Sequence, residues 1–160
     1  MTIDVRPFTD HDKEWAYSLL FPRGGPSRVA SKQVLHDPLE LPGFVAWKDG
    51  ERIGLTTYRL KDNECELLTL DSVVNGTGSG SALIEAVKDA ARSAGSRSVW
   101  LITTNDNTHA FRFYQRRGFR IREVRPGAVD RERTTIKPEI PATGVDEIPI
   151  SDEIELVIHL

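Results

Sequence analysis

Between Val73 and Val87 the chain reads VVNGTGSGSALIEAV, with Gly76, Gly78 and Gly80 at alternate positions between an apolar run and an amphipathic one. The upstream run, CELLTLDSVV, has the continuous apolar character of a strand covered on both faces. Downstream, Ala82, Leu83, Ala86, Val87, Ala90 and Ala91 recur at helical spacing from Gly80 to Ala94, and Gly95 stands where a helix stops. A strand, a glycine turn and a helix in that order let backbone N–H groups converge on an anion, while the helix start adds a partial positive charge. Phosphate is the natural guest, and a plain tight turn is the competing reading of the glycines alone. Neither familiar phosphate loop fits. Gly80 is followed by Ser81 and Ala82 without the lysine of the mononucleotide loop, and the dinucleotide spacing would need glycine at Ser81 or Leu83.

The rest of the chain supplies strands and helices around this turn. IDVRPF alternates like an opening strand, and TDHDKEWAYSLLF follows as a helix capped by Thr9 or Asp10, with Trp15, Leu19 and Leu20 on its buried side. The segment from Pro22 to Pro42 is rich in Gly and Pro and reads as a mobile cover around one short helix, Ser27 to His36. Two apolar runs joined by Asp49-Gly50 predict a strand pair from Phe44 to Leu60. SVWLITT is a short buried strand, THAFRFYQRR a helix ended by Gly118, and FRIREVR a strand. In the final strand, EIELVIHL, apolar residues alternate at Ile154, Leu156, Ile158 and Leu160. Pro126 to Asp152 carries repeated prolines and is expected to lack regular structure. These elements fit a single domain over residues 1–160 with a mixed layer structure.

Composition narrows the partners. Lys+Arg 21 against Asp+Glu 24 leaves a formal charge of -3, which argues against nucleic acid. Apolar runs stay well short of the roughly 18 residues of a spanning helix, so no membrane role is expected. Cys65 is the single cysteine and the start lacks a secretory pattern, so we expect the reducing cytoplasm. His11, His36, His109 and His159 show no metal-ligand spacing, and no metal is expected.

A second segment adds to the glycine turn. Together, NGTGSGSAL and NTHAFRFYQRRGF resemble the GCN5-related N-acetyltransferase (GNAT) superfamily. Asn75, Gly78 and Gly80 match its motif A, Q/R-x-x-G-x-G/A, while Asn107, Ala110, Phe113, Tyr114, Gly118 and Phe119 match its motif B. The family has Arg or Gln where Asn75 stands, so phosphate contact here must rest on backbone donors. The resemblance implies an α/β fold with a mostly antiparallel mixed sheet of six to seven strands, a splayed central pair and about four helices. It also implies acetyl-CoA as donor, a primary amine as acceptor and the possibility of a homodimer. In it, Leu70, Asp71, Val73, Asn75, Gly76, Thr77, Gly78, Ser79, Gly80 and Ser81 would line the cofactor, with Asn107 and Tyr114 from the second motif. One backbone N–H between Leu70 and Val73 would polarise the thioester carbonyl.

Within that resemblance Tyr114 is the candidate acid for the departing thiolate, since a phenol can donate to sulfur. Glu64 and Glu66 are the candidate bases; as alternate residues of one strand they share a face, together with Leu68 and Leu70. Glu66 is preferred because it lies deeper, where partial burial would raise its pKa, and water remains an alternative. Cys65 is read as core. The run Arg116, Arg117, Arg120, Arg122 and Arg125 reads as a solvated face with one or two members near the CoA phosphates. Acceptor choice is expected from Arg23 to Pro42 and Pro126 to Asp152, where Glu139, Asp146, Glu147 and Asp152 read first as solvated surface carboxylates, with attraction of a cationic amine as the functional alternative. The reading from a different class is a module that binds or senses acyl-CoA without catalysis, with Asn75 marking a relaxed demand.

Overall fold

The computed structural model describes residues 2–160. In chain order it contains β1 (Asp4–Pro7), α1 (Lys13–Leu20), β2 (Val29–Ser31), β3 (Val34–His36), β4 (Gly43–Lys48), β5 (Glu51–Lys61), β6 (Glu64–Ser72), α2 (Ser79–Ser93), β7 (Ser98–Thr104), α3 (Thr108–Arg116), β8 (Arg120–Arg125), α4 (Ala128–Thr135) and β9 (Glu153–His159). The fold is the mixed α/β arrangement expected, with a seven-stranded, mostly antiparallel sheet and four helices. The chain divides into two compact units, one of residues 2–28, 37–99 and 160, the other of residues 29–36 and 100–159.

In the first unit the strand order is β1-β4-β5-β6, each pair antiparallel. Asp49 (φ 53°) and Gly50 (φ 77°) are both left-handed, as the hairpin turn between β4 and β5 requires. Facing residues of an antiparallel pair share a side of the sheet. On one side Val45 and Leu55 join Ala16 of α1, with Trp15, Leu19 and Leu20 packed against them. On the other, Ala46 and Ile53 join Leu83 of α2, with Leu70 packed alongside. Gly54 permits the close approach of α2, because a Cβ there would lie 3.0 Å from Leu83 Cδ1 and 3.4 Å from Ser79 Cβ.

The register of β6 corrects one expectation. Thr57 pairs with Thr69 but Tyr58 pairs with Leu67, so Leu68 is an extra residue that reverses the alternation. Glu64 and Glu66 therefore share a side with Thr69 and Asp71, not with Leu68 and Leu70. That side is Leu55's, since Leu55 pairs with Asp71 and Arg59 with Glu66. Leu70 packs in the core beneath α2 instead.

In the second unit the strand order is β7-β9-β8, with β8 and β9 antiparallel. Two expectations fail here. Ser27 to His36 is not helical, because β2 and β3 form a tight ribbon whose turn residues Lys32 (φ 50°) and Gln33 (φ 64°) are left-handed. Residues 126–152 are not devoid of regular structure, since α4 begins after the left-handed Gly127 (φ 73°) and a short 3-10 turn covers Val145–Glu147.

β9 forms where the alternating run ends the chain, and the glutamates that alternate with its apolar residues are buried as well. Glu153 and Glu155 are 1% and 2% exposed. Arg125 donates to Glu153 and Glu155 at 3.1 Å each, and Arg122 also donates to Glu155. These two arginines therefore neutralise buried carboxylates and do not belong to a purely solvated face.

Candidate functional site

The glycine turn links the end of β6 to the start of α2. Gly76 (φ 80°) and Gly78 (φ 85°) occupy left-handed backbone that other residues adopt only with strain. At Gly76 a Cβ would meet nothing within 4 Å, and at Gly78 only Ile3 Cδ1 at 3.8 Å, so conformation rather than crowding by the protein demands glycine. Ala82 donates to Gly78 O at 3.1 Å, whereas N–H groups nearer the start of a helix have no carbonyl one turn back. A hydroxyl chain fixes the turn: Ser72 Oγ lies 2.9 Å from Ser79 Oγ, and Thr77 Oγ1 donates to Ser79 Oγ at 3.1 Å. Ser79 is buried, while Asn75, Gly76 and Gly78 are exposed and Thr77, Gly80 and Ser81 are half-buried. A turn of left-handed glycines feeding a helix N-terminus suits a phosphate held by backbone donors, as the replacement of the usual Arg or Gln by Asn75 requires.

Leading into that turn, β6 carries the carboxylates. Glu66 is buried and accepts from Arg59 Nε at 2.8 Å. Glu64 accepts from Ser98 Oγ. Cys65 is fully buried, and burial, with Glu66 nearby, pushes its thiol up to about 12, which suits a core residue and not a nucleophile. Asp71 differs from both glutamates. It is half-buried, its carboxylate has no hydrogen bond or ion pair among the described residues, and burial pushes its pKa up to about 6. Sequence reading placed Asp71 in the cofactor set for its backbone; the available signal was a second acid, after Glu66, inside an apolar run. Val73 and Val74, just beyond, are exposed.

The second motif forms α3. Asn107 Oδ1 accepts from Ala110 N at 3.2 Å, so the motif asparagine caps the helix. The left-handed Gly118 (φ 93°) follows its end, where Phe119 N donates back to Tyr114 O at 3.1 Å. Tyr114 is 7% exposed and sits between two edge-on rings, Phe113 at 5.3 Å and Phe119 at 5.4 Å between centroids. Its ring is thus held on a rigid element. Of the acceptor-side acids, Asp152 accepts from Gly127 N at 2.8 Å and so fixes the start of α4. Among the described residues no group of three or more His, Cys, Asp or Glu could hold a metal ion, and no helix is long and apolar enough to cross a membrane.

Comparison with known proteins gives this geometry a context. The profile of the acetyltransferase (GNAT) family matches residues 6–119. An uncharacterized protein of Bacillus subtilis, YxbD, is 41% identical over 138 residues, 86% of each chain, and another, YdhI, is 44% identical over 116 residues, 72% of each. Among solved structures, a Bacillus subtilis acetyltransferase in complex with CoA superposes with a TM-score of 0.79 at 20% identity, covering 99% of both chains. The ribosomal-protein-S18-alanine N-acetyltransferase of Escherichia coli gives 0.67 at 15% identity, covering 99% of this chain and 94% of its own.

Proposed function

Because this chain belongs to the acetyltransferase (GNAT) family, we propose that it transfers the acetyl group of acetyl-CoA directly to a primary amine of a small molecule or peptide. The observation that carries this reading is the left-handed Gly76 and Gly78 turn running into the N-terminus of α2. Backbone donors from Gly76 to Ser81 hold the pyrophosphate, and the helix N-terminus adds favourable charge. Main-chain groups from Leu70 to Val73 hold the pantetheine arm, and one N–H there stabilises charge on the thioester oxygen. Bound acetyl-CoA supplies the activated acyl group. Tyr114 donates a proton to the departing sulfur, a role its motif position and rigid packing support. Asn107 orients the start of α3. The CoA bound in the Bacillus subtilis structure and the likeness to the ribosomal-protein-S18-alanine N-acetyltransferase of Escherichia coli favour this chemistry.

The test is thiol release from acetyl-CoA with spermidine, an aminoglycoside, free amino acids and a peptide with an unblocked N-terminus. Turnover with any of these supports the enzyme. Saturable CoA binding by calorimetry without turnover would instead favour the binding module. Gly80→Val is the informative loop variant, since Gly80 lies within α2, whereas a change at Gly78 would also strain left-handed backbone. We expect it to fold and to lose CoA binding; retained affinity would remove the loop assignment.

A further inference from the structure

Transfer to an amine needs a group that accepts a proton from the ammonium, and β6 offers three carboxylates. Glu64 is engaged by Ser98 and Glu66 by Arg59. Asp71 has no such partner, and it lies on the stretch whose main chain is assigned to the thioester. Its neighbour Leu70 packs into the core beneath α2, so the two side chains leave the strand on opposite sides. The side Asp71 takes is that of Leu55, Thr57 and Arg59 on β5 and of Thr69 and Glu66 on β6.

Other charged groups on that side of the sheet are engaged elsewhere: Arg6 pairs with Asp4, Arg52 with Asp12, and Glu64 accepts from Ser98, while Lys61 lies at the far end of β5. Glu66 and Arg59 pair with each other, and α1 brings Ala16, Trp15, Leu19 and Leu20 to the Leu55 cluster. No charge shifts Asp71; burial alone does. An unpaired carboxylate held beside apolar surface is costly to keep, and such groups are retained where their proton affinity is used.

We propose that Asp71, not Glu66, is the catalytic residue that takes the proton from the acceptor ammonium. This rests on the acetyl-transfer reading above. The ammonium loses one proton to the Asp71 carboxylate, and the freed lone pair forms the N–C bond to the acetyl carbon. The C–S bond then breaks with its electron pair on sulfur, which takes a proton from Tyr114. The second proton of the new amide nitrogen restores the Tyr114 phenol, and Asp71 returns its proton to solvent. The sum is one amide, one thiol and one proton released.

The experiment compares the parent with Asp71→Asn and Glu66→Gln by thiol release across pH 5 to 9. It uses the best amine of the panel and hydroxylamine, which is already unprotonated near pH 7. In the parent, kcat/KM for the panel amine should fall at acid pH along a limb centred near 6. In Asp71→Asn that limb should vanish and kcat/KM should drop about 100-fold, with CoA affinity unchanged and a far smaller loss for hydroxylamine. Glu66→Gln should keep the limb. Persistence of the limb in Asp71→Asn, or its loss in Glu66→Gln alone, would overturn the assignment while leaving acetyl transfer intact. A parent that binds CoA but acetylates no amine would overturn the transfer reading itself, and this assignment with it. Should Asp71→Asn fail to fold, the parent's Asp carboxyl carbons are followed by NMR, and the absence of any midpoint near 6 would equally dismiss Asp71.

Discussion

Tyr114 and Asp71 carry opposite relations between packing and chemistry. Tyr114 is fixed by two edge-on rings, so Tyr114→Phe keeps its shape and removes only the hydroxyl. We expect turnover to fall by roughly 10-fold or more while CoA affinity by calorimetry stays the same; equal rates would strip the hydroxyl of its role. Asp71 instead costs stability. Its folded pKa is raised from 3.8 to about 6, so between those values the folded state holds more protons than the unfolded one. Its contribution is therefore fully present below about pH 4 and is lost as pH rises through 6. At neutral pH the cost is on the order of 3 kcal/mol. Asp71→Asn should accordingly raise Tm at pH 7 and leave it nearly unchanged at pH 4, which thermal melts followed by circular dichroism would register. A variant slower but more stable is the expected mark of a residue kept for chemistry.

The β2–β3 ribbon shows how an element can be imposed from outside its own sequence. VASKQVLH has no Asn-Gly or Asp-Gly to favour a two-residue turn, and left-handed backbone costs about 1–2 kcal/mol at each ordinary residue. The turn is offset by what its tip meets. Lys32 Nζ lies 3.1 Å from Glu155 Oε1 and 4.2 Å from the centre of the Trp100 ring. Gln33 donates from its backbone N–H to Glu132 at 3.1 Å and from its side chain to Ala128 O at 3.0 Å. Burial, then the neighbouring Glu153, pushes Glu132 up to about 7. Ionising it sets two buried carboxylates against each other, so its support is present below about 4.5 and is lost as pH rises through 7. Glu132→Gln keeps an acceptor for Gln33 and removes the repulsion. It should raise Tm at pH 8 with little effect at pH 5, whereas Glu132→Ala, which strands the Gln33 N–H, should lower Tm at pH 5, by about 1–3 kcal/mol in unfolding free energy.

Across the whole molecule these groups act together. Asp71 and Glu132 both favour the folded state while protonated, whereas Glu155 is held below the usual carboxylate range by Arg122 and Lys32 despite its burial. The contribution of Glu155 is present above about 4.5 and is lost as pH falls through its lowered value. Stability should therefore be greater at pH 5 than at pH 8, and a Tm at pH 8 equal to or above that at pH 5 would contradict this balance. The activity we propose needs Asp71 ionised, so the rate should rise over the same pH range in which stability declines.

Local chemistry was legible along the chain. Alternation placed β1, two apolar runs about Asp49-Gly50 placed β4 and β5 as a hairpin, helical spacing placed α2, Gly118 marked the end of α3, and the glycines marked the turn before α2, because each signal acts within a few residues. Both motif segments were likewise readable without coordinates. The one-residue shift at Leu68, the ribbon tip at Lys32 and Gln33, the helix α4 and the burial of Glu153 and Glu155 depend on partners distant in sequence. Whether a carboxylate is paired, like Glu66, or left alone, like Asp71, is set by which strand lies beside it and in what register. Periodicity describes one segment at a time and cannot carry that information, so which carboxylate of β6 is left unpaired was decided only by the tertiary structure.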